Sequence, residues 1–341
     1  MAMESEKNLI NIFSDNMSGI PAPIKKNAFK AFAQLCTAAI ELPTAYFEGK
    51  AAEKRAETQA RIKIINTGAE QIARQMQVNP EYADAAVKKF GQRIIQDQIN
   101  IDIIAKNAAD DLLNTPEENN NTNEDVAVDE ISSDWLNAFE KEACNKSSDE
   151  MRLLFGKILA GEIRKPKSFS IKTIKLISQL DNQAASIFQN YCSLCISLCR
   201  NSTVFDARVA TLDGIAEKNS LIEYGLSFYN LNILNEYGLI ISQYNSILDY
   251  QICIMHEQNK NASSFVYQGK KFILVPMNNS NYNPKLELGG VELTLSGKEL
   301  LNIIDILPCE KYTTALTSYF LKKNLQMIEV KNFNISSNRI A

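Results

Sequence analysis

The chain has 341 residues, of which 45% are hydrophobic and 22% are charged. This composition is typical of a globular protein with two or three domains. The net charge of −4 excludes a global electrostatic attraction to nucleic acid, although a local basic surface could still bind it. Seven cysteines, an odd number, and a polar segment at residues 1–16 that does not resemble a secretory signal predict free thiols in the cytoplasm.

The N-terminal part of the chain is predicted to be helical. Residues 1–19 are polar, and we expect them to be disordered. Residues 20–113 follow as a helical, coiled-coil-like domain, whose first helix is apolar on one face and should end at Pro43. Residues 31–47 come nearest to a membrane span, but they are too few and include Glu41, so we expect them to dock on protein and not on a membrane.

A second helix is predicted from Thr44 to Gln77, because this segment is rich in strong helix formers. At ~1.5 Å per residue it would be roughly 50 Å long, and many of its apolar residues are small alanines. Such a helix buries little by itself and needs a partner helix, from the same chain or from a second copy. Asn79 and Pro80 predict the start of further helical stretches around 80–97 and 99–113.

Residues 114–130 mark a boundary in composition. They contain six acidic residues, no basic residue and a run of asparagines. A segment with low hydrophobicity and high charge cannot bury enough apolar surface to fold by itself. We therefore predict an acidic flexible linker.

Residues 131–205 are predicted to form a central helical domain. A capping box at residues 147–150, followed by Ser170 and Asp181, marks the starts of successive helices. The last of these helices is predicted to continue from Ala184 to Cys199. It is apolar nearly all round, so it should form the buried centre of this domain.

Residues 206–341 are predicted to form a winged-helix-like α+β module. Its main elements are a helix from Leu226 to Tyr237 and a β-hairpin from Phe265 to Val275, which alternates around a glycine turn. The other predicted elements are strands at 239–241 and within 286–295, and helices at 296–306 and 312–324. The whole chain is therefore expected to be mainly α with a smaller α+β part.

A group of basic residues surrounds the junction of two predicted helices, with Glu162 as the main opposing charge. The group consists of Lys157, Arg164, Lys165, Lys167, Lys172 and Lys175. A loop that precedes a helix N-terminus suits contact with phosphate. Three interpretations remain open: a solvated surface, a site for phosphate or nucleic acid, and a contact with acidic protein, including the chain's own linker.

Other residues could carry chemistry, but each has a simpler structural interpretation. Cys192, Cys195 and Cys199 would share one face of a helix, yet a metal site needs a fourth ligand, and buried cysteines behave as small hydrophobes. His256, the only histidine, lies three residues after Cys253, but no further His or Cys at zinc-ligand spacing accompanies this pair. Residues 329–331 match the E-x-K strand of metal-dependent nucleases, but a solvent-facing edge strand explains them as well. We predict no catalytic residue, metal or cofactor.

Several motifs, in the same order along residues 20–325, resemble a bacterial family grouped as domain of unknown function 2806. They are DWLNAFEKEA from residue 134, SDEMRLLFGKILAGEI from 148, PKSFSIKTIKLISQL from 166, AASIF from 184 and LTLSGKEL from 293. The resemblance implies no established catalytic residue that could be transferred to this chain. Its members are similar to proteins from defence-rich bacterial regions, which implies a role in phage defence.

Together these features predict a non-enzymatic adaptor or sensor that forms homo-oligomers and has a protein partner. One alternative is a nucleic-acid-binding protein that uses residues 157–175 and the winged-helix-like module. However, the candidate recognition helix at 226–237 contains no Lys or Arg, which favours protein docking. A second alternative is a metal-dependent nuclease that uses Glu329 and Lys331.

Overall fold

The protein is of the mixed α+β class and divides into two compact units, Met1–Ser178 and Gln179–Ala341. The computed structural model describes residues 20–36, 79–114, 129–200, 203–255, 262–277 and 285–330. Our predictions for residues 1–19, for a helix from Thr44 to Gln77, for His256 and for Lys331 lie outside these ranges, as does most of the linker. Of the helices described, none is both long and apolar enough to cross a membrane.

The first unit is helical in its described residues. Its helices are α1 (Ala22–Leu35), α2 (Pro80–Asn114), α3 (Ser133–Ala143), α4 (Asp149–Arg164) and α5 (Ile171–Gln179). The stretches predicted separately at 80–97 and 99–113 form the single helix α2, which corrects that prediction. No proline or glycine lies between the two stretches, so nothing in the sequence ends the helix there.

Aromatic residues and a close helix crossing build the core of the first unit. Trp135 stacks on Phe139 with ring centroids 5.1 Å apart, and Phe139 packs against Phe155 at 5.6 Å. A Cβ added at Gly156 of α4 would lie 2.6 Å from the Cβ of Asn107 on α2. The absence of a side chain at Gly156 therefore lets α4 pack closely on α2.

The second unit combines helices with one sheet. Its described helices are α6 (Asn182–Leu194), α7 (Phe228–Glu236), α8 (Leu295–Leu301) and α9 (Glu310–Lys322), with 3₁₀ turns at Ala216–Lys218, Ile222–Tyr224 and Gln251–Cys253. Its described strands are β1 (Ile196–Arg200), β2 (Thr203–Ala210), β3 (Ser246–Asp249), β4 (Phe265–Tyr267), β5 (Lys270–Pro276), β6 (Glu287–Glu292) and β7 (Leu325–Glu329).

These seven described strands form one antiparallel sheet in the order β3-β6-β2-β1-β4-β5-β7. The predicted hairpin is confirmed as β4 and β5, with Gly269 at φ +73° in the turn between them. The predicted strand at 239–241 is reduced to a single bridge between Ile240 and Leu293. The expected domain boundary after residue 205 falls inside β2. This strand pairs with β1 on one side and with β6 on the other.

Three predictions about the helices need correction. The helix expected from Ala184 to Cys199 ends at Leu194, and the chain continues as strand β1. The cap of α4 is Ser148, whose side chain accepts a hydrogen bond from Met151 N, so this helix starts one residue later than the capping box implies. The helix predicted at 296–306 is α8, which is capped by Thr294 and already ends at Leu301. Asp181 is confirmed as the cap of α6.

Candidate functional site

The C-terminal part of α2 is packed against the rest of the first unit. Its buried positions recur at helical spacing, and they are Ile101, Ile104, Ala105, Ala108, Ala109 and Leu112. Asn100, at the start of this buried stretch, donates a hydrogen bond of 2.6 Å to the carbonyl oxygen of Cys144. This part of α2 is therefore held by both apolar and polar contacts.

The same face of α2 continues towards its N-terminus, where it is less covered. Val87, Phe90 and Ile94 precede Ile101 at helical spacing, so they lie on the face that is buried further along. Phe90 is 61% exposed. Three other large apolar residues on this half of the helix are also exposed, namely Tyr82, Ile95 and Ile99. We call Val87, Phe90 and Ile94 the α2 stripe. An apolar face that extends beyond its packed part is typical of a docking surface.

The predicted basic residues surround the loop between α4 and α5, and a buried acid fixes the shape of that loop. The carboxylate of Glu162 accepts hydrogen bonds from the backbone N–H groups of Lys167 at 2.6 Å and Phe169 at 3.0 Å. The indole of Trp135 donates to the carbonyl oxygen of Phe169 at 2.6 Å. Lys167 has a φ of +73°, a conformation that these bonds stabilise.

Partners within the chain engage some of the basic side chains. Arg164 donates to the carboxylate of Asp111 at 2.6 Å and to its carbonyl oxygen at 2.7 Å, near the C-terminus of α2. Only 20% of the Arg164 side chain is exposed. Lys167 forms an ion pair of 2.6 Å with Asp129, and Lys157 also interacts within the chain. Arg164 is thus a structural link between α2 and α4, because it binds one of the last carbonyls of α2.

The remaining basic residues face solvent. Lys165 lies in the loop, and Lys172 and Lys175 lie on α5, all three exposed. Lys167 is exposed as well, but it is already paired with Asp129, and Arg164 is mostly covered, so fewer than six cations are available to a ligand. The loop keeps a local positive surface, but it is smaller than the six predicted residues imply.

The C-terminal end of the predicted linker lies against this region. Asn27 of α1 is buried and donates to the carbonyl oxygens of Asp129 and Ile163 at 3.2 and 3.3 Å, and it accepts from Ile131 N. Lys30 pairs with Glu130 at 2.7 Å, and this hydrogen bond and charge hold the pKa of Glu130 below its usual value. The acidic residues at this end of the linker therefore already contact cations of the same chain.

The other candidate residues have structural partners. Cys195 caps the C-terminus of α6 and Cys199 lies on β1, so these two thiols and Cys192 do not share a helix face, which corrects that expectation. Burial raises the pKa of Cys192 and Cys195, which keeps these thiols neutral. Glu329 lies at the end of edge strand β7 and pairs with Lys270 at 3.4 Å. Within the residues described, no group of three or more His, Cys, Asp or Glu could hold a metal ion.

The α2 stripe was not predicted from the sequence, although a signal for it existed. Continuing the helical spacing of Ile101 and Ala105 across residue 98 reaches Ile94 and Phe90, but dividing the segment into two helices hides this continuity.

Comparison with known proteins matches the chain to a family model. The family model described as Protein of unknown function (DUF2806) matches residues 85–317. This range includes the α2 stripe, the basic loop and strands β1 to β6. No curated protein and no solved structure gives a significant match.

Proposed function

We propose, on the premise that this chain belongs to the DUF2806 family, that the protein is a non-enzymatic adaptor or sensor. The description of the family assigns it no activity. In this proposal it assembles into homo-oligomers through its N-terminal helices and presents its second unit to protein partners. The single observation that carries the proposal is the α2 stripe, the less covered continuation of a helix face that is buried further along α2, with Phe90 61% exposed.

The α2 stripe favours a helical partner. The N-terminal half of α2 is about 26 Å long at ~1.5 Å per residue, which is a sufficient length for helix pairing. Burying an exposed Phe contributes about 1.5–3 kcal/mol, so covering Phe90 and its neighbours favours association. We infer that a second copy supplies the partner helix. The alternative partner is the segment 44–77 of the same chain, which includes Ile62, Ile65 and Ile72, and the mass in solution separates the two.

The test introduces a charge into the α2 stripe without weakening the helix. We expect the full chain to have a mass in solution that is a multiple of 38.2 kDa. Phe90→Glu should reduce that mass towards a single chain, because glutamate is a strong helix former whose charge is unfavourable in an apolar interface. Light scattering coupled to size exclusion measures the mass, and circular dichroism verifies that helicity is retained.

Gln92→Glu is the matched control, since it creates the same residue at an exposed polar position of the same helix. It should leave the mass unchanged. A wild-type chain that is monomeric at micromolar concentration would contradict the proposal, and so would equal effects of the two substitutions.

A second candidate function is nucleic-acid binding, which the exposed Lys165, Lys172 and Lys175 favour. These lysines lie beside the N-terminus of α5, where phosphate contacts are common. Arg164 is a poor choice for mutation because its mostly covered side chain links α4 to α2, and Lys167 is left unchanged because its ammonium is already paired with Asp129.

If the three exposed lysines bind phosphate, changing all three to Ala should weaken binding and reduce the slope of log K against log salt by about 2–3. Gel shift with single- and double-stranded DNA at two salt concentrations measures this effect. A triple Ala variant of Lys89, Lys106 and Lys141, which are exposed and lie outside both residues 157–175 and the second unit, removes the same charge and should bind like the wild type. Equal behaviour of the two triple variants would exclude the loop as the site.

Several finer features remain part of the proposal. They are the coiled-coil character of the N-terminal domain, the winged-helix-like character of residues 206–341, a cytoplasmic location and a role in bacterial anti-phage defence.

A further inference from the structure

A cleft of about 550 Å³ lies near one edge of the sheet in the second unit. Its floor is a row of three residues on neighbouring strands, Thr211 directly after β2, Gly289 on β6 and Ile247 on β3. Ile247 and Gly289 are register partners, and Thr211 follows Ala210, the partner of Gly290. Because Gly289 has no side chain, the middle of the floor is recessed. The volume lies within the range of roughly 300–1,000 Å³ that is usual for small-molecule sites.

The walls of the cleft carry equal numbers of positive and negative groups. Lys323, after α9, lies 3.7 Å from the carboxylate of Asp213, and its ammonium lies 4.6 Å from the ring centroid of Tyr319. Lys285 pairs with Glu287 at 2.5 Å. All four charged groups line the same cleft, which is therefore close to neutral and still strongly polar.

The loop that carries Asp213 has an unfavourable backbone conformation. Leu212 and Asp213 have φ angles of +53° and +68°, in the left-handed region that residues other than glycine rarely adopt. Such conformations persist where the surrounding structure enforces them, and they cluster at ligand-binding sites. Here the conformation places a carboxylate in the wall of the cleft.

We propose that this cleft binds a small zwitterion with an apolar body, such as an α-amino acid with an aliphatic side chain. The carboxylate of the ligand would pair with Lys323 or Lys285, and its ammonium would pair with Asp213 or Glu287. Lys285, Glu287 and Asp213 are 62%, 51% and 70% exposed, and surface ion pairs of this kind contribute little, so a ligand can exchange with them. The apolar body would cover Ile247, which is 63% exposed. This inference does not rest on self-association, because all of the residues involved belong to the second unit.

Three probes with the same apolar body separate the contributions of the two charges. L-leucine carries both charges, leucinamide carries only the positive charge, and 4-methylpentanoate carries only the negative charge. Titration calorimetry with the full chain should show saturable binding of leucine. It should show binding at least ten-fold weaker for each of the other two compounds.

Two variants locate the site. Gly289→Ala places a methyl group on the floor at ordinary contact distances of 3.8 and 3.9 Å from Thr211 and Ile247, so it should fill the recess without disturbing the sheet. It should weaken leucine binding at least ten-fold. Gly91→Ala, where the added methyl meets no atom within 4 Å, is the control and should bind like the wild type.

Asp213→Asn removes one negative charge and retains a residue type that tolerates the left-handed conformation. It should weaken leucine and leave 4-methylpentanoate unchanged or stronger. The proposal is overturned if leucine does not bind, if the three probes bind alike, or if Gly289→Ala and Gly91→Ala have the same affinity for leucine. Thermal unfolding of each variant ensures that only folded protein is compared.

Discussion

Arg208 brings a positive charge into the interior of the second unit, with only 2% of its side chain exposed. Its guanidinium donates to both carboxylate oxygens of Asp206, at 2.6 and 2.9 Å, and to the carbonyl oxygens of Ser246 and Leu288 at 2.7 and 3.1 Å. Burial and the nearby Asp206 raise the pKa of Tyr250, so its hydroxyl stays protonated and donates to Asp206 at 2.6 Å. One residue thus links strands β2, β3 and β6.

Arg208→Met should destabilise the second unit by about 3–5 kcal/mol, because it leaves the buried carboxylate of Asp206 without its cation. Urea unfolding followed by circular dichroism measures this change. Arg93→Met is the control, since the Arg93 side chain is 68% exposed and its ion pair with Asp97 is long, at 4.0 Å. It should change the free energy of unfolding by less than about 1 kcal/mol. A loss below 1 kcal/mol for Arg208→Met would show that the network contributes little.

The basic loop shows what a sequence reveals at the scale of single residues. The six cations are grouped by the sequence because they lie within 19 residues of one another. Their partners were not found, since Asp111 lies 53 residues before Arg164 and Asp129 lies 38 residues before Lys167. Charge can be counted from the sequence, but the neutralisation of that charge depends on tertiary contacts.

At the scale of elements, local sequence patterns predicted those features whose residues are close together in the sequence. The hairpin of β4 and β5 was predicted because its alternation and its turn glycine are local. Asp181 was predicted as a cap for the same reason. The pairing of β2 with β6 brings together residues about 80 positions apart, and no local pattern indicates it.

In the segment from Asn182 to Arg200, the predicted helix was too long, because a short apolar run does not distinguish a helix from a strand. It is apolar enough to form either a buried helix or a buried strand, and periodicity cannot separate the two. The helix ends at Leu194 because the following residues pair on both sides, with β2 and β4. Tertiary pairing therefore decides the conformation of Ile196 to Arg200, and it also separates the three cysteines that a continuous helix would align.

At the scale of the whole molecule, the sheet lies entirely within the second unit, and its order shows where the chain can be divided. Strand β1 is the centre of the sheet, with β2, β6 and β3 on one side and β4, β5 and β7 on the other. Removing β1 would separate these two groups of strands and expose apolar residues of both. A boundary after residue 205 would remove β1 and the first part of β2, whereas a boundary after Ser178 retains both.

We therefore expect a fragment of residues 179–341 to fold by itself, and a fragment of residues 206–341 to remain unfolded. The longer fragment retains the α6 cap at Asp181, the buried side chains of α6 and the central strand, so its core is complete. Cooperative thermal unfolding and the β-sheet signal in circular dichroism distinguish the two outcomes. A folded 206–341 fragment would instead support an independent C-terminal module that begins within β2, and it would show that β1 is dispensable for the rest of the sheet.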